Sequence, residues 1–391
     1  MDISAFFSPL SPELAALQAG GEWGQHCAAY VEAFPDWRAA DVLLMACSEA
    51  RGGGRGADDQ AATALRRQLY QLSCPGGAFR VADLGTLQPR DTPEGAYEAL
   101  AYVLAHCLQA GKTVLLFGGS QDLTLGQYMA YEDWGRAIQY VQVDHSLDLT
   151  DDQLRLDHRS YNRRILSDRA GYLKHFVNLG YQRYFVPEKL LRWLNDQTFE
   201  ALRYGELTGQ IAEAEPALRL ADMVSVDLSS VRMSEAPGVA LPSPGGFSVL
   251  EACRLARYAG LAYGVSSFQV SGLCPEFDQR DQTALLGALL LWYFVEGYYS
   301  RWDDRPGPDR SNLRQYAVQL HAGVEKIDFY QHPGTERWWM AVPLADALED
   351  PQATRLVPCS QRDYECARQD DIPARWWLHY AKGGESAGFG S

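Results

Sequence analysis

Positive charge is scarce in this chain: 35 Lys and Arg face 50 Asp and Glu, a formal net charge of −15 over 391 residues. Nucleic acid and anionic membranes would repel such a surface, so neither is expected as the main partner. Long hydrophobic runs are missing too. The most apolar stretch, Leu285 to Val295, falls well short of the roughly 20 residues that a bilayer crossing needs. Met1-Asp2-Ile3-Ser4 has neither the basic region nor the apolar stretch of a signal peptide. None of the eight cysteines forms a CxxC pair, and several lie in apolar runs, so buried free thiols in a reducing compartment are expected. Together these absences point to a cytoplasmic, non-membrane-spanning protein. Internal repeats, low-complexity blocks and dividing linkers are also lacking.

What is present is ordinary globular material, 47% hydrophobic and 22% charged. Apolar, β-branched runs read as strands at 41–47, 79–84, 113–117, 138–143, 176–179, 223–228 and 266–270. Helical patterns lie between them at 59–72, 93–110, 248–259 and 283–299. Strand–helix alternation at this spacing predicts right-handed crossovers and a mostly parallel sheet covered on both faces. In such sheets the working groups collect at the carboxyl ends of the strands.

Four strand-end segments carry the chemistry. They are Phe117-Gly118-Gly119-Ser120-Gln121-Asp122, Val143-Asp144-His145-Ser146-Leu147-Asp148, Ser225-Val226-Asp227-Leu228-Ser229 continuing to Ala236-Pro237-Gly238, and Val270-Ser271-Gly272-Leu273-Cys274-Pro275. In order and spacing they resemble the ureohydrolase signatures GGxH, DAHxD, SxDxDxxDPxxAPG and E-x-x-P of the arginase, agmatinase and formimidoylglutamase family. The framing segments Phe6–Leu10 and Arg337–Met340 are similar to those of bacterial formimidoylglutamase-like members. The resemblance implies a three-layer α/β/α arginase-like fold, one domain over 1–382 with a C-terminal extension, a flexible tail over 383–391, and a homo-oligomer.

The family's chemistry, as the resemblance implies it, uses two Mn²⁺ ions about 3.5 Å apart that lower the pKa of a bridging water. Carried over residue by residue, Asp144, Asp148 and Asp227 stand at metal-carboxylate positions. Gln121 stands at the first histidine, Ser146 at the second, and Ser229 at an aspartate. Gly272 falls where a glutamate anchors a cationic substrate, and Arg232-Met233 replaces Asp-Pro. One residual ion site (Gln121, Asp144, Asp148, Asp227) would remain, suited to Mn²⁺, Mg²⁺ or Ca²⁺. The second position would be empty.

Three functions stay open: a catalytically inactive binding or scaffold protein with no cofactor, a one-ion hydrolase of linear amidines, and a small-molecule sensor. No catalytic residue is named.

Other features have local readings. His145 should turn away from the ligand side, because one step along a strand reverses a side chain, unless a bulge near the strand end re-aims it as a ligand. His158 lies in a segment resembling the family's substrate loop, although a solvated loop histidine fits as well. Arg51-Gly52-Gly53-Gly54-Arg55-Gly56 lacks the phosphate-loop spacing and reads as a cleft rim. Leu285, Leu289, Trp292, Tyr293 and Glu296 at helical spacing predict a core stripe. Trp338-Trp339 on a strand should place one indole inside and one outside. Exposed aromatics there and at Trp376-Trp377 would offer a protein-partner surface.

Overall fold

The computed structural model describes residues 2–76, 79–150, 156–307, 309–321, 326–344 and 354–385, with the side chains of 383–385 left aside. Of the tail expected over 383–391, residues 383–385 continue the helix Ala374–Glu385, and the rest lies outside the described residues.

Ten strands form the main sheet. In chain order they are β1 (Phe7–Ser8), β2 (Cys27–Ala29), β3 (Val42–Cys47), β4 (Val81–Leu87), β5 (Thr113–Phe117), β6 (Ile138–Val143), β7 (Leu173–Tyr181), β8 (Glu200–Arg203), β9 (Met223–Asp227) and β10 (Ser267–Ser271). Their spatial order is β1-β4-β3-β5-β10-β9-β6-β7-β8, with β2 also on β4. Every pairing is parallel except β1 on β4.

The central strands are apolar on both faces because both faces are covered. Val42, Leu44, Leu115, Phe117, Val141, Val224 and Phe268 enter one core with the helices Gln60–Leu69, Val249–Leu261 and Gln282–Tyr299. Their neighbours Leu43, Met45, Val114, Leu116, Tyr140 and Met223 enter the other, under Pro93–Gln109 and Leu123–Trp134. The result is three layers, α/β/α. No helix among the described residues is long and apolar enough to cross a membrane. All eight cysteines are free, six of them buried.

The expected stripe on Gln282–Tyr299 is borne out only in part: Leu289, Trp292 and Tyr293 pack against the core from its edge. Leu285 is exposed and Leu289, Trp292, Tyr293 and Glu296 are half-buried, whereas Leu286, Leu290, Leu291, Phe294 and Val295 fill the core. Apolar residues surround this helix, so periodicity alone picked the edge of the buried face and missed its centre.

A second sheet follows: β11 (Arg314–Gln319), β12 (Lys326–Gln331), β13 (Trp338–Pro343) and β14 (Thr354–Cys359), antiparallel in that order. Trp338 and Trp339 do point to opposite faces, yet both are buried. Trp338 packs with Phe329, Met340 and Trp376, while the Arg219 guanidinium of the main body sits 4.8 Å from the Trp339 ring. Strand alternation held; the expectation of an exposed face failed because each face has a cover. Trp377 and Tyr380 are the aromatics exposed nearby.

The C-terminal helix docks through buried polar groups. His175 Nε2 lies 2.7 Å from Glu200 Oε1 and 2.8 Å from Lys382 Nζ. Burial, and then the Lys382 charge, hold His379 down at about 3 against its ordinary 6.5. A histidine held neutral in the fold but free to protonate when unfolded contributes stability that is complete above pH 6.5 and is lost as pH falls toward 3. The loss is at most about 1.4 kcal/mol per pH unit for one such group. His379→Gln should flatten the decline in urea midpoint between pH 6.5 and 4.5; an unchanged slope would remove His379 as its cause.

Candidate functional site

A cleft of about 960 Å³ opens at the carboxyl ends of β5, β6, β9 and β10. Gln121, Asp144, Ser146, Asp148, Asp227, Ser229, Gly272 and His158 all line it. The four segments meet there because their strands are neighbours in the order β5-β10-β9-β6.

The turn after β5 brings Gln121 inward. Gly119 has φ +64°, and a Cβ there would come within 2.4 Å of the Glu49 carbonyl, so only glycine fits. Gln121 Nε2 donates to Ser225 Oγ at 3.2 Å, while its Oε1 is buried without a hydrogen-bond partner.

The carboxylates after β6 are held by donors from the chain itself. Asp144 Oδ1 accepts from the Ser146 amide at 3.0 Å, and Asp148 Oδ1 from the Ser146 hydroxyl at 2.6 Å. Gln142 Nε2 donates to Asp144 Oδ2 at 2.9 Å and to Asp148 Oδ2 at 2.8 Å. Asp148 has φ +51°, a conformation that aspartate tolerates better than most residues. At the end of the neighbouring β9, Asp227 Oδ1 accepts from the Ser229 amide at 2.7 Å. Burial, and then the Asp227 carboxylate, push Asp144 up to about 7. Burial and the nearby Asp144 push Asp148 well above the usual carboxylate range.

His145 departs from expectation. Its Nδ1 lies 2.8 Å from Ser229 Oγ and 3.1 Å from Asp144 Oδ1, and its ring meets the Phe185 edge at 4.8 Å. β6 ends at Val143, so strand alternation no longer governs residue 145, and the ring lines the cleft. His158 is half-buried and bonded through Nδ1 to the Gly52 carbonyl at 2.9 Å.

The loop after β3 is a rim whose arginines are committed elsewhere. Arg51 pairs with Glu49, and Arg55 holds Glu276 at 2.9 Å and the Leu273 carbonyl at 2.8 Å. Sequence reasoning missed Gln142, Asn162 and Asn178. Only the strand period placing Gln142 on the same side as Asp144 hinted at its role.

The resemblance implies two ions in this cleft. Among the described residues, no three His, Cys, Asp or Glu side chains converge to hold a metal ion. The Ser146 hydroxyl is spent on Asp148 and that of Ser229 on His145. Gly272 has φ +91° and no side chain, and the cleft wall there is backbone. Gln121 Oε1 is a buried acceptor that receives no hydrogen bond.

An α/β/α sheet with its motif-bearing loops gathered in one carboxyl-end cleft is the architecture of a ureohydrolase. The arginase family model matches residues 39–296, and the chain belongs to that family. A formimidoylglutamase of Salmonella heidelberg is 25% identical over 269 residues, covering 66% of this chain and 85% of that protein. That of Salmonella typhi is 25% identical over 272 residues, covering 66% and 86%. Among solved structures, Trypanosoma cruzi formiminoglutamase with Mn²⁺ aligns with a TM-score of 0.62 at 22% identity, over 67% of this chain and 95% of that one. Agmatine ureohydrolase of Thermoplasma volcanium aligns at 0.56 and 19%, over 67% and 91%. At such identities these structures speak for the fold alone.

Proposed function

We propose that this protein is a non-hydrolysing member of the arginase family that keeps the cleft as a binding site and has given up the two-ion chemistry. The observation that carries the reading is the use of Ser146 and Ser229. Both hydroxyls stand at ligand positions and are tied into hydrogen bonds with Asp148 and His145. A neutral hydroxyl is a weak partner for a divalent ion beside carboxylate and imidazole. Gly272, beside Asp227, carries no carboxylate of its own to anchor a cationic substrate. The cleft volume suits a small molecule, and the free cysteines accord with a cytoplasmic setting.

The test is turnover. Purified protein supplied with Mn²⁺ and with formimidoylglutamate, agmatine or arginine should release no formamide, urea or ammonia above background. Robust release from any of the three would overturn the reading. A ligand of the cleft should raise the melting temperature and be recovered unchanged.

A second reading, a one-ion amidine hydrolase, is favoured by the unpartnered Gln121 Oε1 beside Asp144, Asp148 and Asp227. It requires turnover that chelation abolishes and that Asp227→Asn removes.

A further inference from the structure

The carboxylates Asp144 and Asp148 share a donor that lies outside the four strand-end segments. Gln142 is fully buried on β6, two residues before Asp144. Its side-chain nitrogen lies within 2.9 Å of an oxygen from each carboxylate, and the Tyr161 hydroxyl is a longer third neighbour at 3.1 Å. An amide NH₂ has two hydrogens, and the two shorter contacts take them.

The amide has no freedom to turn its oxygen toward the cleft. Asn162 Nδ2 donates to the Leu147 carbonyl at 2.9 Å, and a carbonyl can only accept, so the nitrogen end of Asn162 is fixed. That same nitrogen donates to Gln142 Oε1 at 2.8 Å. Asn178 is fixed likewise. Its Nδ2 donates to the Ser146 carbonyl at 2.8 Å and its Oδ1 accepts from the Tyr181 amide at 3.1 Å, with Nδ2 also 3.5 Å from Gln142 Oε1. Reversing Gln142 would set its oxygen against two carboxylates and its NH₂ against Asn162. Backbone carbonyls thus dictate, through two buried asparagines, which end of Gln142 the carboxylates meet.

We propose that Gln142 is a built-in substitute for a divalent cation: its locked amide satisfies Asp144 and Asp148, holds the cleft floor in shape without metal, and disfavours an ion at Gln121, Asp144, Asp148 and Asp227. An ion at these carboxylates would compete for oxygens that already accept from a buried amide, which would keep only the longer contact to the Tyr161 hydroxyl. This rests on the reading of the protein as metal-independent and deepens it by naming the residue responsible.

The experiment compares wild type, Gln142→Leu and Asn162→Ala after chelation, with and without Mn²⁺, by elemental analysis and thermal melting. Wild type should hold no stoichiometric metal, and its melting temperature should ignore both chelator and Mn²⁺. Gln142→Leu leaves two carboxylates without their shared donor. It should melt several degrees lower when metal-free, recover much of that loss with Mn²⁺, and bind the ion about tenfold tighter than wild type, the worth of a hydrogen bond no longer displaced. If it folds only when produced with Mn²⁺, that is the same rescue in stronger form. Asn162→Ala, a milder change, frees the Gln142 amide to turn and should gain Mn²⁺ affinity in the same direction. Stoichiometric Mn²⁺ in wild type, or variants that respond to Mn²⁺ no more than wild type, would overturn the proposal. Metal uptake by wild type without turnover would sink this inference alone. Turnover without metal would sink the proposed function and leave the role of Gln142 standing.

Discussion

Replacing Arg66 with methionine is expected to lower unfolding stability by about 3–5 kcal/mol. Arg66 lies on the helix Gln60–Leu69 with 1% of its side chain exposed, and Asp83 on β4 has none. The guanidinium grips both carboxylate oxygens, Nε to Oδ2 at 2.9 Å and Nη2 to Oδ1 at 2.7 Å. It also donates to the Gly85 carbonyl at 2.8 Å and the Thr86 hydroxyl at 2.9 Å, and stacks 5.0 Å from the Phe117 ring.

A buried pair of this kind adds little over an apolar pair of equal volume, but removing one member strands the other's charge. With Arg66 gone, Asp83 keeps only the Tyr70 hydroxyl and the Gly85 amide. Phe117 immediately precedes the turn that presents Gln121, so the same change should loosen one wall of the cleft. Urea denaturation measures the loss, and Arg66→Met/Asp83→Asn should recover part of it. Equal losses in the single and double variants would rule out a stranded charge as the cause.

Gly272→Glu, the substitution that on paper restores the family's substrate anchor, is expected to destabilise the protein and to gain no substrate binding. Gly272 has φ +91°, and a Cβ there would come within 2.8 Å of Asp227 Oδ1. Its amide is held by the Gly119 carbonyl at 3.2 Å, so the backbone cannot turn without disturbing the neighbouring loop. A non-glycine residue in such a conformation costs about 1–3 kcal/mol before the contact with Asp227 is counted. Because the Cβ is at fault, Gly272→Ala should lose a comparable amount. A Gly272→Ala protein as stable as wild type would refute the steric argument. If it holds, reconstructing the anchor demands a different loop, and side-chain repair alone will fail.

The two predictions differ in how far the sequence foreshadowed them. Gly272 was legible as a departure from the family pattern, but its positive φ and its closeness to Asp227 were not, since both depend on how β9 and β10 align. Arg66 looked like any charged residue of an amphipathic helix; the carboxylate that pairs with it lies on β4 and is found only in space. The same holds for Trp338 and Trp339. Alternation gave their directions correctly, and the cover over each face came from Arg219 and from the C-terminal helices.

The sequence by itself determined the layer architecture, because alternating apolar strands and helices can bury their faces in few ways. It also determined that Gln121, Asp144, Asp148, Asp227, Ser146, Ser229 and Gly272 share one cleft, because parallel strands deliver their following loops to the same edge. The tertiary structure alone decided where side chains aim once the strands end. His145 turned to Ser229 because regular alternation stops at Val143. The Gln142 amide met Asp144 and Asp148 nitrogen first because the Leu147 carbonyl orients Asn162, and Asn162 orients Gln142. Period and propensity act between neighbours along the chain, whereas the direction of a buried hydrogen bond is set by partners that only folding brings together.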